Sequence, residues 1–264
     1  MNRIEARLNS LKEKGEKAFI TYMTAGLPDM ETTKNLLKAQ EEAGIDIIEL
    51  GIPFSDPTAD GPVIQDASYR SILKGTNLKK IFTALEESRK DGLEVPVIFM
   101  MYYNTLMHYG LDAFVEKCAQ IGVDGLIIPD LPYEEQEQLN EALAKVENAP
   151  ISIQLVSPVS KQRIPMIVKN ARGFIYCVST MGVTGQGGNF YGTINDYLKS
   201  VKDASDIPVM MGFGIRTAKD IEPMKDIIDG AIVGSHFINL MEENKYDLEV
   251  AKDYVRTFKK EMNQ

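Results

Sequence analysis

Short apolar runs recur along the chain with helical segments between them: AFITYMTAG, DIIELGIPF, VPVIFMMYY, DGLIIPDLP, PISIQLVSP, GFIYCVS, IPVMMGFG and GAIVGS. Each reads as a continuous hydrophobic strand rather than an alternating one, as parallel strands covered on both faces require. The stretches between them, such as METTKNLLKAQEEAG and NLKKIFTALEESRKDG, space apolar residues three and four apart and close on Gly, which predicts amphipathic helices. Strand, helix, strand throughout predicts βαβ units. The segments AGIDIIELGIP (43–53) and IGVDGLIIPDLP (121–132) share one order: a helix-ending Gly, an apolar residue, an Asp, then a strand. The surrounding periods are unequal, so this is one supersecondary unit used twice and not a solenoid repeat. Eight such units closing on themselves predict an α/β fold, the (β/α)8 TIM barrel, with an open doubly wound sheet as the alternative. Residues 1–14 predict an additional N-terminal helix covering the bottom of the barrel. No linker or charge block divides the chain, so residues 1–264 are expected to form a single barrel domain, a length that suits this architecture.

In a barrel the active site lies at the C-terminal ends of the strands, and charged residues at strand starts serve stability. Asp46, Asp124 and Asp229 open their strands and belong to the second group. Glu49 is different, standing in the middle of an apolar run in IELGIPFSDPTADGP (48–62). With Ile47 and Gly51 it shares the parity that faces the barrel interior, leaving Ile48, Leu50 and Ile52 for the helices. Burial pushes a carboxylate toward the pKa range useful for proton transfer. The alternative is a structural Glu satisfied by backbone or a Tyr. Asp60 follows in a loop at the active face, where a second carboxylate can serve another atom of the same substrate; taken alone it is also an ordinary turn residue in ADG. Asp130 closes the fourth strand and reads as a strand-end cap.

Gly-rich turns follow the last three strands: GVTG (182–185), GFGI (212–215) and VGS (233–235). Turns of this kind expose converging N–H groups and make the phosphate site of many barrels. Gly185, Gly214, Gly234 and Ser235 are the candidates, with Thr184 adding a hydroxyl. The formal net charge of −9 makes such a local cradle necessary for an anionic substrate and argues against a nucleic-acid binder. At 44% hydrophobic and 25% charged residues the composition is that of a globular protein with a substantial core. Two isolated cysteines, Cys118 and Cys177, give neither a disulfide scaffold nor a zinc spacing and suit a reducing cytoplasm. Neither a signal peptide nor a membrane span is evident. The strand runs carry no Lys, which removes Schiff-base lyase chemistry. His108 and His236 lack ligand spacing, which removes a His-based metal aldolase. What remains is proton transfer by carboxylates on a phosphorylated substrate. Tyr22, Tyr102 and Tyr176 with Met100, Ile127 and Ile153 stand at or near strand ends, placed either to line a flat apolar pocket or to fill the core.

On these residues the sequence resembles the tryptophan synthase alpha subunit family: LGIPFSDPTADGPVIQ matches its most specific motif, and GVTG, GFGI and GS fall in its phosphate loops in order. The resemblance runs over essentially the whole chain. It implies cleavage of indole-3-glycerol phosphate to indole and glyceraldehyde 3-phosphate by a retro-aldol reaction, with Glu49 as general acid/base and Asp60 at the indole nitrogen. Ile64 joins the substrate wall by the same resemblance. It further implies an α2β2 assembly with a beta subunit that carries pyridoxal phosphate, no cofactor or metal in this chain, and a partner surface at Pro53, Asp56, Pro57, Asn104 and Pro132. An Asx-type turn before Pro57 is a second role for Asp56. Thr58 stands where a Val is usual, and Thr180 follows Ser179 where many members carry Arg. A stand-alone lyase releasing indole, or a mainly non-catalytic subunit that activates its partner, are the alternative functions.

Overall fold

The computed structural model describes residues 2–178, 190–212 and 214–264. Among them nine strands form one parallel sheet: β1 Ala18–Thr24, β2 Ile47–Gly51, β3 Val97–Met100, β4 Gly125–Ile127, β5 Ile151–Ser152, β6 Gln154–Val156, β7 Ile175–Val178, β8 Val209–Gly212 and β9 Gly230–Val233. Eleven helices accompany them among the described residues. The first six are α1 Arg3–Lys14, α2 Met30–Glu42, α3 Pro62–Leu73, α4 Leu78–Lys90, α5 Tyr103–Tyr109 and α6 Leu111–Ile121; then come α7 Glu137–Ala144, α8 Ile164–Val168, α9 Phe190–Ala204, α10 Ser235–Glu243 and α11 Leu248–Met262.

The strand order is β5-β4-β3-β2-β1-β9-β8-β7-β6. Its two ends, β5 and β6, are halves of one stretch separated only by Ile153, whose N–H donates to the Leu126 carbonyl at 2.9 Å. The ring therefore closes through the fifth apolar run, giving the expected (β/α)8 barrel with its fifth strand in two pieces. The open sheet is not formed. Among the described residues no helix is long and apolar enough to cross a membrane.

Strand alternation sorts side chains into two layers. Ile20, Ile47, Ile98, Ile127, Ile153, Met210 and Ile232 fill the barrel interior, whereas Ile48, Leu50, Phe99, Leu126, Val209 and Val233 pack outward against the helices. The parity read from the sequence around Glu49 is the observed one. Helix α1 closes the bottom as expected: Ile4, Leu8 and Leu11 join the interior cluster, and the Asn2 side chain caps the helix by accepting the Ile4 N–H at 2.9 Å. Helices α2 and α4 start at the side-chain caps Asp29 and Asn77. Gly44 and Gly92 follow their C-caps with φ of +89° and +92°, the left-handed region where glycine carries no steric cost.

The three strand-opening aspartates share one task. Asp46 accepts the N–H of Phe19 at 2.8 Å, Asp124 that of Val97 at 2.9 Å and Asp229 that of Val209 at 2.7 Å. Each carboxylate thus ties its own strand to the start of the preceding one, and each carries cations besides: Arg7 and Lys259 on Asp46, Arg3 and Arg89 on Asp124, Lys202 on Asp229. These acids sit at the bottom, opposite the face where Glu49 points, and they are structural.

Candidate active site

Glu49 is the central residue of β2, in register with Tyr22 on β1 and Ile98 on β3. It is 0% exposed, and neither carboxyl oxygen has a hydrogen-bond partner among the described residues. The alternative of a structural Glu tied to backbone or a phenol is therefore not what forms. Burial alone pushes its pKa up to about 8. A carboxyl group held without partners in a barrel interior keeps its proton at neutral pH and leaves both oxygens open to further hydrogen bonds.

Asp60 is half-buried in the loop between β2 and α3. Burial raises its pKa to about 6, with a hydrogen bond from Tyr102 partly offsetting that rise. The Tyr102 Oη donates to Asp60 Oδ2 at 2.9 Å and accepts the Ala59 N–H at 2.9 Å, while the Tyr102 ring stacks on Phe54. Further contacts fix the loop: Ser68 Oγ accepts the Phe54 N–H at 2.8 Å, and Gln65 Nε2 donates to the Asp60 carbonyl at 2.8 Å. Tyr102 is thus a strut for the acidic loop as well as a candidate wall. Phe54, Gln65 and Ser68 escaped the sequence reading, since nothing in their type or spacing marks them. The Asp56 carboxylate accepts from the Ser55 hydroxyl, so the expected Asx-type turn is not the contact it makes.

Two further phenols face the carboxylates. Burial raises the Tyr22 pKa, with Asp60 and Glu49 adding to the rise; burial raises Tyr176 as well, followed by Glu49, Asp60 and Tyr22. Both rings therefore stay protonated, and each lies near enough to Glu49 and Asp60 to feel their charge. Room for the phenols comes from glycines on the next strands. A Cβ on Gly51 would lie 2.0 Å from the Tyr22 Oη, and one on Gly212 would lie 2.5 Å from the Tyr176 Oη. Neither glycine was singled out from the sequence, because the need for it exists only across strands.

The remaining candidates fall into two adjoining clusters. Tyr22 and Ile64 pack with Leu27, Ala67 and Ile238 at the upper rim; Ile127, Ile153 and Tyr176 belong to the barrel interior; Met100 is common to both. Gly234 is the N-cap of α10, and Ser235 is the first residue of that helix. A Cβ on Gly234 would stand 3.7 Å from Tyr22 Cβ and 3.8 Å from Ile64 Cδ1. The helix N-terminus thus comes close to Tyr22, the β1 residue in register with Glu49. Gly214 follows β8 with φ of +70°. Thr184 and Gly185, with Thr180, lie outside the described residues. Asp56, Asn104 and Pro132 are exposed and Pro53 and Pro57 half-buried; Pro53, Asp56 and Pro57 lie in the loop after β2 and Pro132 in that after β4, whereas Asn104, expected in a loop, is the second residue of α5. Asp130 accepts the Tyr103 N–H at 2.9 Å; β4 already ends at Ile127, so Asp130 holds the first N–H of α5 instead of capping its own strand as expected. Cys118 and Cys177 are buried free thiols.

The chain is a closed (β/α)8 barrel with one carboxyl group buried inside it, on β2, and a second in the loop that follows the same strand, an architecture shared by many barrel enzymes. Comparison with known proteins narrows this. The sequence model of the tryptophan synthase alpha chain family matches residues 8–264. A tryptophan synthase alpha chain of Lachnospira eligens is 66% identical over 263 residues, covering 100% of both chains. One of Alkaliphilus metalliredigens is 46% identical over 248 residues, 94% of this chain and 92% of that one. The crystal structure of tryptophan synthase subunit alpha from Legionella pneumophila superposes with a TM-score of 0.89 at 34% identity, covering 99% of this chain and 98% of that one. The chain belongs to the tryptophan synthase alpha chain family, and with it to the lyases of tryptophan biosynthesis.

Proposed function

We propose that Glu49 and Asp60 divide the proton transfers by which this chain cleaves indole-3-glycerol phosphate. The observation that carries the reading is Glu49: fully buried, without partners among the described residues, and titrating near neutrality. At neutral pH Glu49 holds its proton while Asp60, at about 6, is ionised, the pair of states the reaction needs at its start. Glu49 protonates C3 of the indole, and the positive charge that reaches the ring nitrogen is met by the Asp60 carboxylate at the N–H. Glu49, now anionic in a dry site, takes the proton of the glycerol hydroxyl next to C3. The C–C bond breaks as the aldehyde forms, its electron pair returns to the indole ring, and Glu49 ends protonated as it began. No redox change occurs. The Tyr22 and Tyr176 phenols, kept neutral by burial, add wall and hydrogen-bond donors without competing charge.

The phosphate end of the substrate is assigned to Gly214, Gly234 and Ser235, together with Thr184 and Gly185, because the unpaired N–H groups at the α10 N-terminus border the Tyr22 side of the cavity. Tyr22, Ile64, Met100, Tyr102, Ile127, Ile153 and Tyr176 are assigned to the indole pocket, the deeply buried isoleucines forming its floor. An alpha chain implies a beta-subunit partner. We assign that contact to the segments bearing Pro53, Asp56, Pro57, Asn104 and Pro132, in an α2β2 assembly where pyridoxal phosphate belongs to the partner and none to this chain. A cytoplasmic setting fits a biosynthetic enzyme with two buried free thiols.

Replacing the general acid is the decisive experiment. Glu49→Gln keeps the shape and removes the proton transfers, so cleavage should fall by roughly 10³-fold or more while indole-3-glycerol phosphate still binds in calorimetry. Turnover near that of the parent would overturn the assignment.

A further inference from the structure

The backbone cradle of the phosphate site leaves a charge problem. A phosphate dianion must enter a protein with a formal charge of −9, and neither Gly214, Gly234 nor Ser235 carries a positive charge. Arg216 lies two residues beyond Gly214 and shares with Ser235, His236 and Val63 the wall of a cavity of about 390 Å³ at the α10 N-terminus. Its main chain is clamped on both sides: its N–H donates to Asp220 Oδ2 at 2.9 Å, and its carbonyl accepts from the Tyr254 hydroxyl at 2.7 Å. Its guanidinium makes no ion pair with any described residue. Asp220, the nearby acid, already accepts from the N–H groups of Arg216 and Thr217.

Resting on the phosphate assignment above, we propose that Arg216 is a binding residue of this lyase, its guanidinium, without an ion pair among the described residues, supplying the positive charge that draws in and holds the phosphate group of the substrate. The other ionisable groups of the cavity do not take that part. His236 is lowered below its ordinary range, by burial first and by Arg216 next, so it is neutral at neutral pH. Glu243 stands eight residues from Ser235, about 12 Å along the helix, and is exposed. Arginine suits the task because its planar fork addresses two phosphate oxygens at once. The backbone N–H groups then set the position of the phosphate, and Arg216 sets the charge preference.

The test is calorimetric binding of glycerol 3-phosphate to the full chain at low and high salt, for the parent and for Arg216→Gln, Arg216→Lys and Gly234→Asp. Arg216 is exposed and a Cβ on Gly234 meets nothing closer than 3.7 Å, so these variants should fold. Arg216→Gln should weaken binding by about five- to tenfold, the scale of one charge-assisted contact that is part screened, and should flatten its salt dependence. Arg216→Lys should recover most of the salt dependence, and in turnover the loss should fall on KM more than on kcat. Unchanged affinity and salt dependence in Arg216→Gln, with binding abolished in Gly234→Asp, would overturn the role of Arg216 alone. Unchanged binding in Gly234→Asp as well would overturn the phosphate assignment on which it rests.

Discussion

Tyr102 and Asp60 are joined by a 2.9 Å hydrogen bond across 42 residues of chain, and that bond holds the Asp60 carboxyl below the pKa its burial would set. Tyr102→Phe removes the donor and leaves the desolvation. The Asp60 pKa should then rise above about 6. With ionised Asp60 in the role proposed for it, the acid limb of kcat/KM should move to higher pH in Tyr102→Phe, with the alkaline limb in place. A pH–rate profile with the parent's acid limb would show that Asp60 is not the group titrating there.

Glu49 has a cost in stability that follows from its burial without partners. Its folded pKa of about 8 lies above the ordinary 4.5, so the folded state holds a proton that the unfolded chain releases. The stability contributed by that proton is fully present below about 4.5 and is lost as pH rises through about 8. Glu49→Gln, neutral at every pH, should match the parent below about pH 4.5 and exceed it increasingly up to mild alkali, there by a few kcal/mol, since each tenfold difference in proton affinity between the folded and unfolded states is worth about 1.4 kcal/mol. Urea midpoints of both proteins across that range measure the difference. A gap that does not widen with pH would mean that Glu49 is not desolvated as its burial implies.

Gly51 is constrained by the Tyr22 phenol, with no space for even a methyl group between strands β1 and β2. Gly51→Ala should destabilise the protein by about 1–3 kcal/mol through overpacking and raise KM by displacing Tyr22 from the cavity wall. On a Tyr22→Ala background the same substitution should cost under about 0.5 kcal/mol, since the obstructing ring is gone. Additive losses in thermal unfolding would show that the two residues do not meet.

The difference between Glu49 and Gly51 marks what the sequence made legible. Strand parity is geometric, so one acid in an apolar run was enough to place Glu49 inside the barrel and to send Asp46, Asp124 and Asp229 to the opposite end. The order of apolar runs likewise foretold the barrel, and residues 1–14 its lower plug. What remained hidden depends on contacts between strands and loops far apart in the chain. Gly51 and Gly212 are spacers only because a tyrosine projects from the neighbouring strand. Tyr102 read as pocket wall alone, and not also as a strut, because its loop partner lies 42 residues away. The fifth strand breaks at Ile153, between the polar Ser152 and Gln154, a pair that does not by itself distinguish two short strands from one.

The opposite end of the barrel offers a test that separates stability from catalysis. Asp124 is 3% exposed and accepts from Arg89 at 2.8 Å, Arg3 at 3.0 Å and the Val97 N–H at 2.9 Å. Arg89 also donates to the carbonyls of Gly122, Leu93 and Val95. Burial raises the Asp124 pKa and Arg89 is the largest influence pulling it back. Arg89→Met should therefore destabilise by about 3–5 kcal/mol, the scale of a buried carboxylate that loses its partner. The sign of the pH dependence follows: with its folded pKa driven further up, Asp124 is protonated at low pH and adds no penalty, and the deficit grows as pH rises through that pKa. Since this cluster lies at the strand starts, kcat and KM of the folded variant should stay within about twofold of the parent, against the tenfold per 1.4 kcal/mol that a lost transition-state contact would bring. A stability loss under about 1 kcal/mol, or a fall in kcat without one, would place this cluster in a different role.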